Sequence, residues 1–144
     1  MKLTENFTTQ EVTRSDTAQR LKIDNCLSIE ILDNAYCFAK AVLQPLREKI
    51  GLPFLISSWY RSKALNTAVG GTLNSAHTRA TAIDFTISGL SARQTYEIVL
   101  ETLKTLHIPF DQLIFESFTK DGHTTEWVHL SWEREGNRFE NFEL

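Results

Sequence analysis

One stretch limits what this chain can fold into more than any other. From Ile29 to about Lys49, apolar residues fall at Ile31, Leu32, Ala35, Phe38, Ala39, Val42, Leu43 and Leu46. That is the spacing of one face of an α-helix, and Gly51 followed by Pro53 ends it. A long helix with one apolar face needs a surface to cover. The rest of the chain offers short β-type runs at Phe54–Ser58, Ala82–Ile87, Leu113–Glu116 and Trp127–Trp132. Asp121-Gly122 predicts a turn joining the last two runs as an antiparallel pair. Helix first, then short strands separated by loops, indicates an α+β fold: an antiparallel sheet with helices packed on one side.

Local signals fill in the frame. Thr8-Thr9-Gln10-Glu11 and Ser91-Ala92-Arg93-Gln94 have the form of capping boxes, and Ser28 and Ser62 are placed to cap two further helices. Residues 15–28 read as polar and irregular, and residues 72–81 as a polar loop. With 144 residues, 42% of them hydrophobic, the chain can bury a real core as one domain. Its central part spans about residues 5–132, followed by an acidic C-terminal extension over 133–144.

Charge excludes one class of partner. The net charge is −3, residues 1–50 carry seven basic and seven acidic side chains, and residues 116–144 carry three and seven. No basic stripe exists to neutralise a phosphate backbone, so no nucleic-acid partner is expected. No run approaches the length of a membrane span, and MKLTENFTTQEV lacks the apolar core of a secretion signal. The expectation is a monomer made in the cytoplasm. Cys37 lies in the apolar-periodic segment, where a buried thiol is expected; whether it pairs with Cys26 is left open.

Two of the four histidines stand in a chemical pattern. His77 lies in the polar loop with Asp84 seven residues on, and His129 lies in an aromatic-flanked strand with Glu126 three residues before it. Two imidazoles and a carboxylate form a donor set suited to a catalytic zinc with one position left for water. Glu126 would then be the base for that water.

The same residues carry a resemblance. Ser75-Ala76-His77-Thr78-Arg79-Ala80-Thr81-Ala82-Ile83-Asp84 resembles the Ser-x-His-x-x-Gly-x-Ala-x-Asp motif of the zinc D-Ala-D-Ala carboxypeptidase family. That family includes D-Ala-D-Ala dipeptidases and phage L-alanyl-D-glutamate endolysins. Glu126-Trp127-Val128-His129 is similar to its Glu-x-x-His motif, and Ser58-Trp59-Tyr60-Arg61-Ser62 to its Ser-Gly-Tyr-Arg-Ser segment. Residues 7–24, 66–71 and 109–114 resemble segments of its small phage- and prophage-type members.

The resemblance implies the hedgehog/DD-peptidase-like fold, with one Zn2+ ion held by His77, Asp84 and His129. It implies Glu126 as general base and Arg61 as the cation facing the developing oxyanion. Ser75, Gln112, Tyr60 and Trp127 are expected to touch substrate. The implied reaction is hydrolysis of a peptide bond in peptidoglycan, of D-Ala-D-Ala or L-Ala-D-Glu type; the alternative is a non-catalytic, zinc-containing peptidoglycan-binding or phage structural module. A cell-wall substrate would be reached through a holin, a virion or lysis.

Three positions depart from the simplest form of these expectations. Ala80 stands where the motif has Gly, harmless at negative φ and costly at positive φ. Trp59 also replaces a Gly, and it either narrows the cleft or packs in the core. Finally, Glu126 and His129 are an odd number of residues apart, so a regular strand would point them to opposite faces. The expectation is that Glu126 sits at the strand's first residue or before it.

Overall fold

A computed structural model describes all 144 residues. The predicted long helix runs without a break as α3 (Ile29–Phe38), a π-turn (Ala39–Leu43) and α4 (Gln44–Ile50). Pro45 explains the π-turn. Its nitrogen has no proton to return to the preceding turn, and the widened turn lets the Gln44 N–H reach back to the Ala39 carbonyl instead. Ala35, Phe38, Ala39, Val42, Leu43 and Leu46 are all buried, so the apolar stripe survives the distortion.

Two short helices precede it, α1 (Thr9–Thr13) and α2 (Asp16–Leu21). Thr8 and Glu11 close the predicted capping box on α1. The segment read as irregular is in fact helical over α2, because the Ser15 side chain accepts the Ala18 N–H and starts a turn. Further on come α5 (Lys63–Ala68), a 3-10 turn (Ala76–Arg79) inside the predicted loop, and α6 (Ala92–Thr105) with its capping box.

Five strands form one sheet in the order β1 (Phe54–Ser58), β2 (Ala82–Ile87), β4 (His123–Ser131), β3 (Gln112–Lys120), β5 (Glu140–Glu143). The sheet is mixed rather than purely antiparallel: β5 runs parallel to β3, and every other pairing is antiparallel. β5 carries no apolar alternation and is exposed throughout, so nothing in its sequence announces a strand. Both residues of the Asp121-Gly122 turn have positive φ, which matches the twist of the β3–β4 hairpin it joins.

Strand alternation divides the sheet into two faces. Ile83, Phe85, Ile87, Leu113, Phe115, Val128 and Leu130 point to the helix side and join α3, α4 and α6 in a 26-residue core. The opposite face carries Asp84, His129 and Ile114 abreast, as the pairings Asp84↔His129 and Ile114↔His129 require. The site is built on that second face.

Candidate metal centre and cleft

His77, Asp84 and His129 arrive from three different elements: the 3-10 turn, β2 and β4. One donor atom from each lies within 4.8 Å of the other two. His129 Nδ1 is 3.0 Å and His77 Nε2 is 3.2 Å from the same oxygen, Asp84 Oδ1. His77 is held from behind. Its Nδ1 is 2.6 Å from the Trp59 carbonyl oxygen, which only accepts, so Nδ1 carries the proton and Nε2 the lone pair. Its backbone N–H donates to Ser75 Oγ, which caps the turn.

That tautomer leaves an electrostatic gap. Nε2 of His77 is buried without a hydrogen-bond partner and faces a carboxylate oxygen, acceptor against acceptor. A cation between them removes the repulsion, and the two-nitrogen, one-oxygen set is one that zinc accepts. The residues present therefore fit the metal. Burial by itself pushes the Asp84 carboxyl up; without a metal, the two imidazoles outweigh it when they are protonated, and positive charge facing the carboxyl then holds it well below the usual carboxylate range.

Arg61 borders this cluster. Its guanidinium donates to Asp84 Oδ2, Ser58 Oγ and Asn66 Oδ1, each at 3.2 Å, so all three nitrogens are tied down. Asn66 is itself buried, with its amide donating to the Thr72 carbonyl at 2.8 Å. Gly71 makes this possible: a Cβ there would lie 2.1 Å from Asn66 Oδ1 and 3.0 Å from Arg61 Nη1.

The cluster opens into a cleft of about 450 Å³ whose walls include Arg61, Ser75, Gln112 and Glu116. Ser75 and Gln112 are thus brought to the cleft, Gln112 also donating to Glu140 at 3.1 Å. Tyr60 is not. Its backbone is tied to Val12 and Asn25, and its half-buried ring packs against the core, where burial and then the Asp24 charge push its hydroxyl pKa up. Trp127 shares the face of His129 but lies outside the cleft lining, its indole N–H enclosed and unpartnered.

The position expected for Glu126 needs correction. It lies inside β4, opposite Ser117, in a ladder whose register is regular from Gln112↔Ser131 to Lys120↔His123. With no bulge, it points to the face of Val128 and Leu130, away from His129. There it adds to the charges that raise the Arg93 pKa, after the Glu143 hydrogen bond and the Glu143 and Glu97 charges. The carboxylate that alternation does bring to the cleft is Glu116, two residues beyond Ile114 on the face of His129. The sequence held a signal for it: Gln112 and Glu116 are four apart in one strand, so a cleft role for the first implied the same face for the second.

The two departures from the motif also resolve. Ala80 has φ 62°, the costly case, as the left-handed residue closing the 3-10 turn. Trp59 is fully buried, edge-on to Phe7 and Phe38, and takes no part in the cleft.

A donor triad open on one side to a groove, with a fixed cation and a free carboxylate nearby, is the layout of a hydrolytic metal centre rather than a closed structural one. The family model described as Peptidase M15 matches residues 5–131. The chain belongs to the peptidase M15 family, a family of zinc metallopeptidases. A comparison with curated proteins finds no match. No helix is long and apolar enough to cross a membrane.

Proposed function

We propose that this chain hydrolyses a peptide bond in the stem or cross-bridge peptides of peptidoglycan, with His77, Asp84 and His129 holding one zinc ion. The observation that carries the reading is the orphaned Nε2 of His77 facing Asp84 at the head of an open cleft. Zinc bound there supplies Lewis-acid polarisation of the scissile carbonyl and a lowered pKa for attacking water.

The protein's own residues do the rest. Arg61, immobilised by three acceptors, presents fixed positive charge to the carbonyl oxygen as it becomes an oxyanion, with no reorganisation needed at that moment. Glu116 takes a proton from the attacking water and returns it to the leaving amine. It replaces Glu126 in that role because a base must reach the proton it moves, and Glu126 is on the far side of the sheet. Ser75 acts mainly by capping the turn that carries His77.

Metal analysis of the purified protein, followed by mass spectrometry of a muropeptide digest with and without chelator, tests this. Zinc near one equivalent and chelator-sensitive cleavage are expected. Bound zinc without turnover of any muropeptide would instead identify a binding module.

A further inference from the structure

The cleft over the metal cluster is not the only cavity that Arg61 borders. A larger one, of about 590 Å³, lies on its other side, between the start of α2, α5 and the outer edge of β1. Arg61 lines both, its guanidinium bonding Ser58 of the larger cavity and Asp84 of the cleft. The second cavity has an apolar wall from Leu65 and Val69 on α5 and a hydroxyl-rich wall from Ser15, Thr17, Ser57 and Ser58.

Arg14 is the cation in it without an acidic partner; Asp16, also in the lining, makes no ion pair either. Arg14 Nη2 donates to the Ile56 carbonyl at 3.0 Å, which holds the guanidinium against β1. Its Nη1 and Nε make no hydrogen bond within the protein, and no carboxylate lies within ion-pairing distance. By contrast Arg61, Arg79, Arg93, Arg134 and Arg138 each pair with an acid. The backbone beneath Arg14 is fixed as well: its N–H closes α1 on the Gln10 carbonyl, and Ser15 immediately caps α2. The result is a held, planar cation with one edge of its fork open toward a cavity. That geometry suits a carboxylate, which accepts two parallel N–H bonds. Thr17 and Ser58 add hydroxyls to the same space.

We propose that this cavity is a substrate subsite for the free α-carboxylate of the stem peptide's D-Glu residue, with Arg14 as the residue that recognises it. The inference rests on the reading of the adjoining cleft as a peptidase site. A peptide crossing that cleft passes Arg61 and enters the space before Arg14. An acidic stem peptide is then preferred over the same peptide with that carboxylate amidated, because the amide forfeits the charge-assisted pair.

The test compares two synthetic pentapeptides, L-Ala-γ-D-Glu-L-Lys-D-Ala-D-Ala and its D-isoglutamine counterpart. Binding is measured by calorimetry to the zinc-loaded full chain carrying Glu116→Gln, so that affinity is read without turnover. The acid form is expected to bind about tenfold more tightly, as one charge-assisted hydrogen-bonded pair allows. Arg14→Gln, which keeps a donor for the Ile56 carbonyl, removes that preference, and Arg14→Glu inverts it. Equal affinity for both peptides, or a preference that survives Arg14→Gln, overturns the subsite while leaving the peptidase reading intact. Failure of both peptides to bind overturns the subsite and the peptidase reading together.

Discussion

The indole N–H of Trp59 donates to the carbonyl oxygen of Ala80 at 2.8 Å, deep in the core. The two positions where the chain departs from glycine in its motifs therefore touch each other. One turn of chain links them to the metal centre, because the Trp59 carbonyl holds His77 Nδ1 while the Trp59 ring holds the left-handed residue that ends the His77 turn. Trp59→Phe strands a buried carbonyl, and a loss of about 1–3 kcal/mol in stability is expected. Urea unfolding of the two proteins measures it; a loss within error would show that the indole contributes only bulk.

Removing the metal should loosen the same centre. A ligand that binds only the folded state stabilises it by mass action, about 2.7 kcal/mol at a hundredfold excess over Kd. Chelator is therefore expected to lower the melting temperature of the parent and to leave that of Asp84→Ala unchanged. Equal sensitivity in the two proteins would place the metal elsewhere.

The two glutamates separate cleanly. Glu116→Gln is expected to reduce kcat on muropeptides by about 10²–10⁴-fold, the usual worth of a positioned base, with zinc content retained. Glu126→Gln, exposed on the other face, should stay within about twofold of the parent. The reverse ranking would require a bulge in β4 between Glu126 and His129.

Gly71→Ala tests how Arg61 is held. A Cβ 2.1 Å from Asn66 Oδ1 must displace that side chain and, with it, one of the three acceptors of Arg61. A fall of about tenfold or more in kcat, with zinc content unchanged, is expected from a misplaced oxyanion cation. Normal kcat would mean that Ser58 and Asp84 suffice to position the guanidinium.

Acid should release β5. Asp111 is buried and accepts Nε and Nη2 of Arg138 at 3.0 and 2.8 Å, and these bonds, opposed by burial, hold its carboxyl below the usual range. A depressed folded-state pKa gives stabilisation that is complete above the unfolded value of about 3.9 and is lost as pH falls through the folded value. Protection against exchange at the Glu140 and Leu144 amides, which bond to Asp111 and Phe115, should fall below about pH 4 in the parent. In Asp111→Asn that protection should be low at every pH. Protection that is unchanged in acid would show that the ladder alone holds the strand.

Local chemistry made much of this protein legible. The apolar stripe of residues 29–49, the capping hydroxyls, and the Asp121-Gly122 turn act over a few residues, so their outcome is written in neighbouring side chains. The order of His77, Asp84 and His129 was equally readable, because it lies within short motifs that resemble a known family. What those residues share in space is another matter. Whether Glu126 shares the face of His129 depends on whether β4 contains a bulge, and that is decided by its pairing with β3. Tyr60 turns from the cleft because distant Val12 and Asn25 bind its backbone, and residues 140–143 become a strand only because the edge of β3 was free to receive them. Sequence by itself offered the donor set of two histidines and an aspartate and named the wrong face for the base. Only the tertiary structure decided which of them meet, since alternation across a strand reverses with a single residue of register.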